Sequence, residues 1–391
     1  VNIFFDEKMR TFGASRDGLL WGGNERPLPL FLPSSSVQSF LLRTKENKVG
    51  PIIGLLTTKR TGYPFIGNPT RYRKISRLLQ EQGGFLYVFT PESMKNEEIH
   101  GFFYSIAQKK WIKSQFPYPD VVYNRIPIRE DEQLTSSQYA LQAIAQKNIP
   151  LFNPHFFNKN DVFRILYQNK KLREFLPDTR SANSVETISE MLKEYNAVYV
   201  KPVDGHKGDD IFTVEKKNNA FQFQSSIRRL TFSSEHLLSS YLSPLLKKQR
   251  YIAQNKINLN KQNSRMYDFR VLMQRVSTEW LMTGFGVRCA PVSGITTHVP
   301  KGGSILSKAT LDKPIDEKKL TSLSMEAAKT LEQSYPALRE FSMDIGRDVN
   351  GRLWIFEANS KPMKFDERDI DQKMLCNLVA TFFYLSKFNE Y

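Results

Sequence analysis

The sequence predicts an α/β unit followed by a larger, mainly antiparallel α+β unit, and three observations carry that expectation. Between residues 49 and 150, apolar strand-like runs alternate with helical stretches, the grammar of a parallel sheet with crossover helices. Beyond Pro150-Leu151-Phe152-Asn153-Pro154, strand-like runs succeed one another with few helices between them, as antiparallel sheets require. Near the C-terminus Asn350-Gly351 separates two such runs, the signature of a hairpin turn with positive φ.

Taken in order, the first 48 residues hold short strand-like pieces punctuated by Gly and Pro, such as Gly18-Leu19-Leu20-Trp21-Gly22-Gly23. Residues 50–57 read as a buried strand, 72–82 as a helix, 84–89 and 120–125 as strands, and 136–147 as a helix. In the second unit 161–174 and 185–195 read as helices. Strands are expected at 197–202, 211–215, 221–224, 251–254, 268–275 and 280–288, with helices at about 320–333 and 370–386.

The chain of 391 residues is 40% hydrophobic and 12% aromatic, enough for two or three packed domains. No run reaches the roughly 18 apolar residues that a membrane-spanning helix needs. The opening Val1-Asn2-Ile3-Phe4-Phe5-Asp6-Glu7-Lys8 lacks the parts of a secretory signal. Two cysteines, Cys289 and Cys376, rule out a disulfide framework or zinc cluster, so a cytoplasmic setting is expected. A net charge of +16, from 56 basic and 40 acidic residues, favours anionic ligands. Without a helix-turn-helix, zinc finger or RNA-binding signature, nucleic acid is not the expected partner.

The chemistry-bearing residues fall in a definite order. Lys201 ends an apolar strand and precedes a loop with Gly205, His206 and Gly208, where an ammonium and loop amides suit phosphate. The spacing is not that of a Walker A loop. Tyr251-Ile252-Ala253-Gln254 breaks into Asn255-Lys256-Ile257, polar backbone suited to an adenine edge. Asp268 and Arg270 share a strand face, either as a buried ion pair or as an arginine aimed at a phosphoryl group. Arg288 and Gly302-Gly303 follow. Last come Asp344 on one strand of the hairpin and Glu357 and Asn359 on the other, three oxygen donors of the kind that hold Mg²⁺. The histidines form no constellation, and His206 alone rides the loop.

This order resembles the ATP-grasp layout, and in detail the bacterial endospore coat-associated ATP-grasp proteins of the YheC/YheD type. The resemblance spans about residues 50–391. It rests on Pro119-Asp120-Val121-Val122-Tyr123-Asn124-Arg125-Ile126, Leu176-Pro177-Asp178-Thr179, Tyr199-Val200-Lys201-Pro202, Tyr267-Asp268-Phe269-Arg270-Val271, Gly302-Gly303 and Glu357-Ala358-Asn359-Ser360-Lys361-Pro362. After the β-rich segment read at 1–48, it implies an α/β pre-ATP-grasp domain at 49–150, and an ATP-grasp domain at 151–391 with its lid at about 178–253. ATP would lie between two α+β subdomains. Lys201 would contact adenine and the α-phosphate, Lys159 would be a second phosphate lysine, the Gly205–Gly208 loop would close over the β- and γ-phosphates, and Gln254, Asn255, Lys256 and Ile257 would line adenine and ribose. Asp344, Glu357 and Asn359 would hold Mg²⁺, and Arg270 and Arg288 would stabilise the transferring phosphoryl group. One departure is Asp209-Asp210, acids where related loops carry another glycine.

The implied activity is a Mg²⁺–ATP-dependent ligase joining a carboxylate to an amine or thiol through an acylphosphate, associated with spore coat formation. The acceptors are unknown and expected to be anionic, with spore coat proteins among the partners and the spore coat or forespore surface as a site of action. The alternatives are a non-catalytic or ATP-binding structural protein of the endospore coat, and an ATP-grasp kinase.

Overall fold

The computed structural model describes residues 1–31, 37–205 and 210–389; His206, Gly208 and Asp209 lie outside them. No helix among the described residues is long and apolar enough to cross a membrane.

The first unit is built on a six-stranded sheet in the order Lys110–Phe116, Ile99–Ser105, Phe85–Phe89, Ile52–Leu56, Val121–Asn124, Leu151–Phe152. The last four are mutually parallel, as the alternating pattern predicts. The antiparallel hairpin of the first two strands was not anticipated. The helix Pro69–Glu81 starts three residues earlier than predicted, because Asn68 caps it through Arg71 N at 3.0 Å and proline occupies its first turn. The N-terminal strands Asn2–Asp6, Thr11–Ala14 and Val37–Leu41 form a small separate sheet. Its apolar face nevertheless shares one core with the first unit: the Phe12 ring lies 5.6 Å from both Phe85 and Phe103.

The second unit holds two sheets. The smaller one runs Thr179–Ser181, Tyr251–Asn255, Ala197–Pro202, Phe212–Lys217, Ala220–Ser225, Arg229–Phe232. It is antiparallel throughout. Helices Val185–Tyr195 and Glu235–Leu246 back it. The second helix escapes sequence reading because Ser239-Ser240 and Pro244 weaken its pattern, yet Leu238, Leu242 and Leu246, four residues apart, are all buried.

The larger sheet runs Ser304–Leu306, Trp280–Cys289, Arg265–Arg275, Glu340–Arg347, Leu353–Asn359. Tyr267, Phe269, Val271 and Met273 point to one face, into a core completed by helices Lys159–Gln168 and Glu317–Ser334. The other face carries Asp268 and Arg270. The closing helix Arg368–Ser386 lies on that side and knits the two units together: Leu378, Val379 and Phe382 pack with Ile53, Leu55 and Tyr123 of the first sheet.

The Asn350-Gly351 hairpin forms as predicted, with Gly351 at φ +86° and the Asp348 carboxylate accepting from Asn350 N and Arg352 N at 2.9 Å each. Its register contains a bulge. Asp344 pairs with Glu357 while Ile345 pairs with Ile355, so Phe356 is the extra residue. Strict alternation would put Glu357 and Asn359 on the face of Leu353 and Ile355, which is the core face. The bulge turns them to the opposite face.

Candidate active site

Register alone assembles most of the site. On the outer face of the larger sheet Arg288 stands opposite Asp268. One row further, Gly286, Arg270, Asp344 and Glu357 align across four strands, and in the next row Ser342 pairs with Asn359. Directly opposed residues of antiparallel strands share a face, so two arginines, three carboxylates and an amide converge on one surface.

The smaller sheet faces this surface across a cleft of about 540 Å³ lined by Tyr199, Lys201, Gln254, Asn255, Asp344 and Glu357, among others. Lys201 is only 8% exposed. Burial pushes its ammonium down to about 8, against the pull of Glu357. Lys159, two residues ahead of the helix expected at 161–174, is the first residue of the helix Lys159–Gln168, capped by Asn158. Its Nζ lies 3.5 Å from Glu357 Oε2. Asn158 also donates to Asp204 Oδ1 at 3.2 Å, tying that cap to the start of the glycine loop.

Electrostatics divide the carboxylates. Burial pushes Glu357 up, but Lys159 and Lys201 outweigh it and hold the group below its ordinary range. Burial raises Asp344, with Glu357 adding to it and Arg270 opposing. Burial and then Asp344 likewise raise Asp268, whose Oδ2 accepts from Thr297 Oγ1 at 2.5 Å while Oδ1 is buried without a partner among the described residues. Asp344 and Glu357 stand directly opposite each other with Asn359 one row along, oxygen donors of the type a hard divalent cation takes; no cluster of three or more His, Cys, Asp or Glu able to enclose a metal occurs among the described residues.

The adenine-edge segment lines the same cleft, from Gln254 to Ile257. The Gln254 side chain donates to Thr179 at 2.9 Å and Lys256 to Glu215 at 3.3 Å. Asn255 Oδ1 is buried and unpartnered among the described residues, an acceptor left for a ligand. Gly205 lies three residues beyond the strand Ala197–Pro202, whereas His206 and Gly208 are outside the described residues. Of the two departing acids, Asp210 is drawn to Gln249 at 3.0 Å. Arg270 sits 3.8 Å from Asp344 and donates to Ser342 Oγ at 3.3 Å. The Arg288 guanidinium is engaged by Glu367, with N–O distances of 2.6 and 3.3 Å.

Several residues here were not legible in the sequence. His298 is half-buried; burial and Arg270 lower its pKa, and its Nδ1 has no partner among the described residues. Behind the hairpin, Lys361 Nζ is enclosed by Asn124 Oδ1 at 3.0 Å, Ile126 O at 3.2 Å and Glu132 Oε1 at 2.5 Å. Asn153 is fully buried and holds Arg339 N at 3.0 Å and the Glu340 carbonyl at 3.0 Å. Tyr123 OH donates to Glu340 at 2.6 Å. Two motifs far apart in sequence, Tyr123-Asn124-Arg125 and Ser360-Lys361-Pro362, thereby lock together, with Arg125 donating to the Pro362 carbonyl at 3.1 Å. Glu132 ends the run Arg129-Glu130-Asp131-Glu132 and is fully buried.

Lys201 on one antiparallel sheet, facing Asp344 and Glu357 on another across a cleft, with Lys159 at the head of a helix beside Glu357, is the ATP-grasp arrangement. The chain belongs to the YheC/D-like ATP-grasp family, whose sequence model matches residues 148–387. It is similar to endospore coat-associated protein YheD of Bacillus subtilis (strain 168), with 29% identity over 351 residues that cover 85% of this chain and 77% of that one. It is also similar to endospore coat-associated protein YheC of the same strain, 22% identical over 289 residues, 70% of this chain and 79% of that one. Among solved structures, ATP-grasp ligase PsnB complexed with a minimal precursor superposes with a TM-score of 0.51 at 15% identity, over 85% of this chain and 99% of that one. The fold is therefore the one an ATP-grasp ligase uses.

The buried lysine yields a pH prediction. Lys201 titrates near 8 in the ligand-free protein, and a bound phosphate raises that value by favouring the charged form. Nucleotide binding therefore takes up a proton above pH 8, so affinity is expected to fall as pH rises from 7 to 9.5. The linkage to folding has the opposite sense. Between about 8 and the ordinary lysine value the unfolded chain holds the proton that the folded chain has lost, so this group's contribution to stability rises with pH. Calorimetry in buffers of different ionisation heat reads the proton uptake; Lys201→Arg should abolish it in that window.

Proposed function

We propose that this protein is a Mg²⁺–ATP-dependent ligase that joins a carboxylate to an amine through an acylphosphate, acting in association with the endospore coat. The observation that carries this reading is the in-register row of Arg270, Asp344 and Glu357, of which Asp344 and Glu357 face Lys201 across the cleft. In this reading Asp344, Glu357 and Asn359 hold Mg²⁺, which neutralises phosphate charge. Lys201 and Lys159 bind the phosphates, Gln254 to Ile257 present backbone and the free Asn255 oxygen to the base and ribose, and Arg270 meets the charge that develops on the transferring phosphoryl group.

The chemistry balances without an enzyme-bound covalent intermediate. An acceptor carboxylate oxygen bonds to the γ-phosphorus as the bond to the β,γ-bridging oxygen breaks, releasing ADP. An amine then bonds to the acyl carbon, phosphate leaves with the C–O electron pair, and the amine proton passes to solvent. The chain's contribution is positioning, charge compensation and water exclusion.

The coat association extends to this chain that of the endospore coat-associated proteins YheD and YheC. The scaffold reading loses part of its motive, since Asp210 is drawn to Gln249. The deciding experiment has two stages. Calorimetry with a non-hydrolysable ATP analogue comes first, and no Mg²⁺-dependent binding to well-folded protein would overturn the proposal. Turnover with Mg²⁺–ATP, acetyl-glutamate amide and hydroxylamine comes second. A ligase gives hydroxamate, ADP and free phosphate. A kinase acting on a hydroxyl group gives no hydroxamate from these probes and forms ADP and a phosphorylated product, without free phosphate, only when an alcohol acceptor is supplied, whereas a scaffold gives binding without turnover on either acceptor.

A further inference from the structure

Arg288 and Glu367 form a pair that the sequence does not suggest and that local folding does not require. Glu367 occupies the N-cap position of the helix Arg368–Ser386 and makes no side-chain capping bond. Residues with short polar side chains are preferred there because they bond the first free amides. Glu367 reaches instead across the sheet to Arg288, forming a two-pronged contact of 2.6 and 3.3 Å, the fork geometry with which a guanidinium recognises a carboxylate. The sheet makes room for it: Gly286 lies beneath, and a Cβ there would overlap the Glu367 carboxylate. Phe365, fully buried, fills the space beside the arginines, with Arg270 and Arg288 each 5.9 Å from its ring.

The position of the pair gives it meaning. Arg288 stands opposite Asp268 in the row next to Arg270 and Asp344, two residues along the strand and so roughly 6.7 Å away. A carboxylate held at Arg288 therefore sits beside the arginine and carboxylates assigned to phosphoryl transfer. The group found there belongs to a glutamyl side chain on a polypeptide, in a loop (residues 361–367) that follows the Glu357 and Asn359 strand directly.

We propose that Glu367 occupies the seat of the acceptor carboxylate on Arg288, and that the acceptor is a glutamyl side chain which displaces it. This rests on the ligase reading above and names its substrate class. Arg288 is then the acceptor-binding arginine and Arg270 the one that meets the phosphoryl group. The covalent step is unchanged: the acceptor oxygen bonds to the γ-phosphorus, and ADP leaves with the electrons of the broken P–O bond. Glu367 takes no part in it.

The test uses acetyl-glutamate amide, which carries one side-chain carboxylate, against acetyl-glutamine amide, which carries none. Each is titrated calorimetrically into the full chain with Mg²⁺ and a non-hydrolysable ATP analogue. Glu367→Gln and Glu367→Ala should each bind the glutamate probe at least tenfold more tightly than wild type, with no gain for the glutamine probe. Adding Arg288→Gln to Glu367→Gln should remove the gain. Equal or weaker binding of the glutamate probe in both Glu367 variants, each folded by circular dichroism, overturns the proposal. Nucleotide affinity is read in the same samples. Its absence in wild type overturns the ligase reading, whereas its presence without a carboxylate gain overturns only the acceptor assignment.

Discussion

Glu357→Gln is expected to erase the Mg²⁺ dependence of nucleotide binding. Glu357 is the carboxylate that Lys159 and Lys201 hold in its charged form, and it stands directly across from Asp344. Removing its charge takes away half of the carboxylate charge available to a cation and leaves two lysines without their counter-charge, Lys201 in a buried position. In the presence of Mg²⁺ the loss in affinity for an ATP analogue should be about 100-fold, or about 3 kcal/mol. Without Mg²⁺ the variant should bind as well as wild type or better, since a carboxylate no longer repels the triphosphate. Retention of a full Mg²⁺ enhancement in Glu357→Gln, measured by calorimetry, would remove Glu357 from the cation site.

The second large effect is on folding. Lys361 is enclosed by Asn124, Ile126 and Glu132 from the first unit, with side chains only 4% and 0% exposed for Lys361 and Glu132. Lys361→Met strands a buried carboxylate that keeps two donors among the described residues, Asn124 Nδ2 and Phe156 N, at 2.9 and 2.8 Å. Breaking a buried pair from one side costs about 3–5 kcal/mol, so the melting temperature should fall by several degrees. The double variant Lys361→Met/Glu132→Gln should recover part of this, because the uncompensated charge is gone. Additive losses in the double variant would show that the two groups act independently. Since Lys361 lies two residues beyond Asn359, the single variant should also weaken Mg²⁺-dependent nucleotide binding at temperatures where it remains folded.

Much of the site was legible because its residues sit in short local patterns. The lysine that ends an apolar strand, the Asp268/Arg270 alternation and the Asn350-Gly351 turn each follow from a period of two and a turn with positive φ. What escaped was long-range. No local pattern pairs Glu132, fully buried, with Lys361 more than two hundred residues away. Nor does any local pattern pair Glu367, ahead of a helix, with Arg288 on a distant strand. His298 looked isolated, yet the carboxylates and Arg270 that influence it come from other strands. The helix Glu235–Leu246 was hidden by its own serines and proline, and only packing of Leu238, Leu242 and Leu246 on the smaller sheet stabilises it.

The sequence by itself determined which chemical groups are present, their order along the chain and the hairpin that brings Asp344 near Glu357. It did so because strand alternation and turn geometry are local properties of the backbone. Tertiary structure decided which way those groups face. Alternation alone would direct Glu357 and Asn359 into the apolar core with Leu353 and Ile355, and the bulge at Phe356 turns them to the cleft. That choice follows from the different chemistry of the two faces: apolar side chains bury against the helices, while the charged groups take the side where lysines and arginines compensate them.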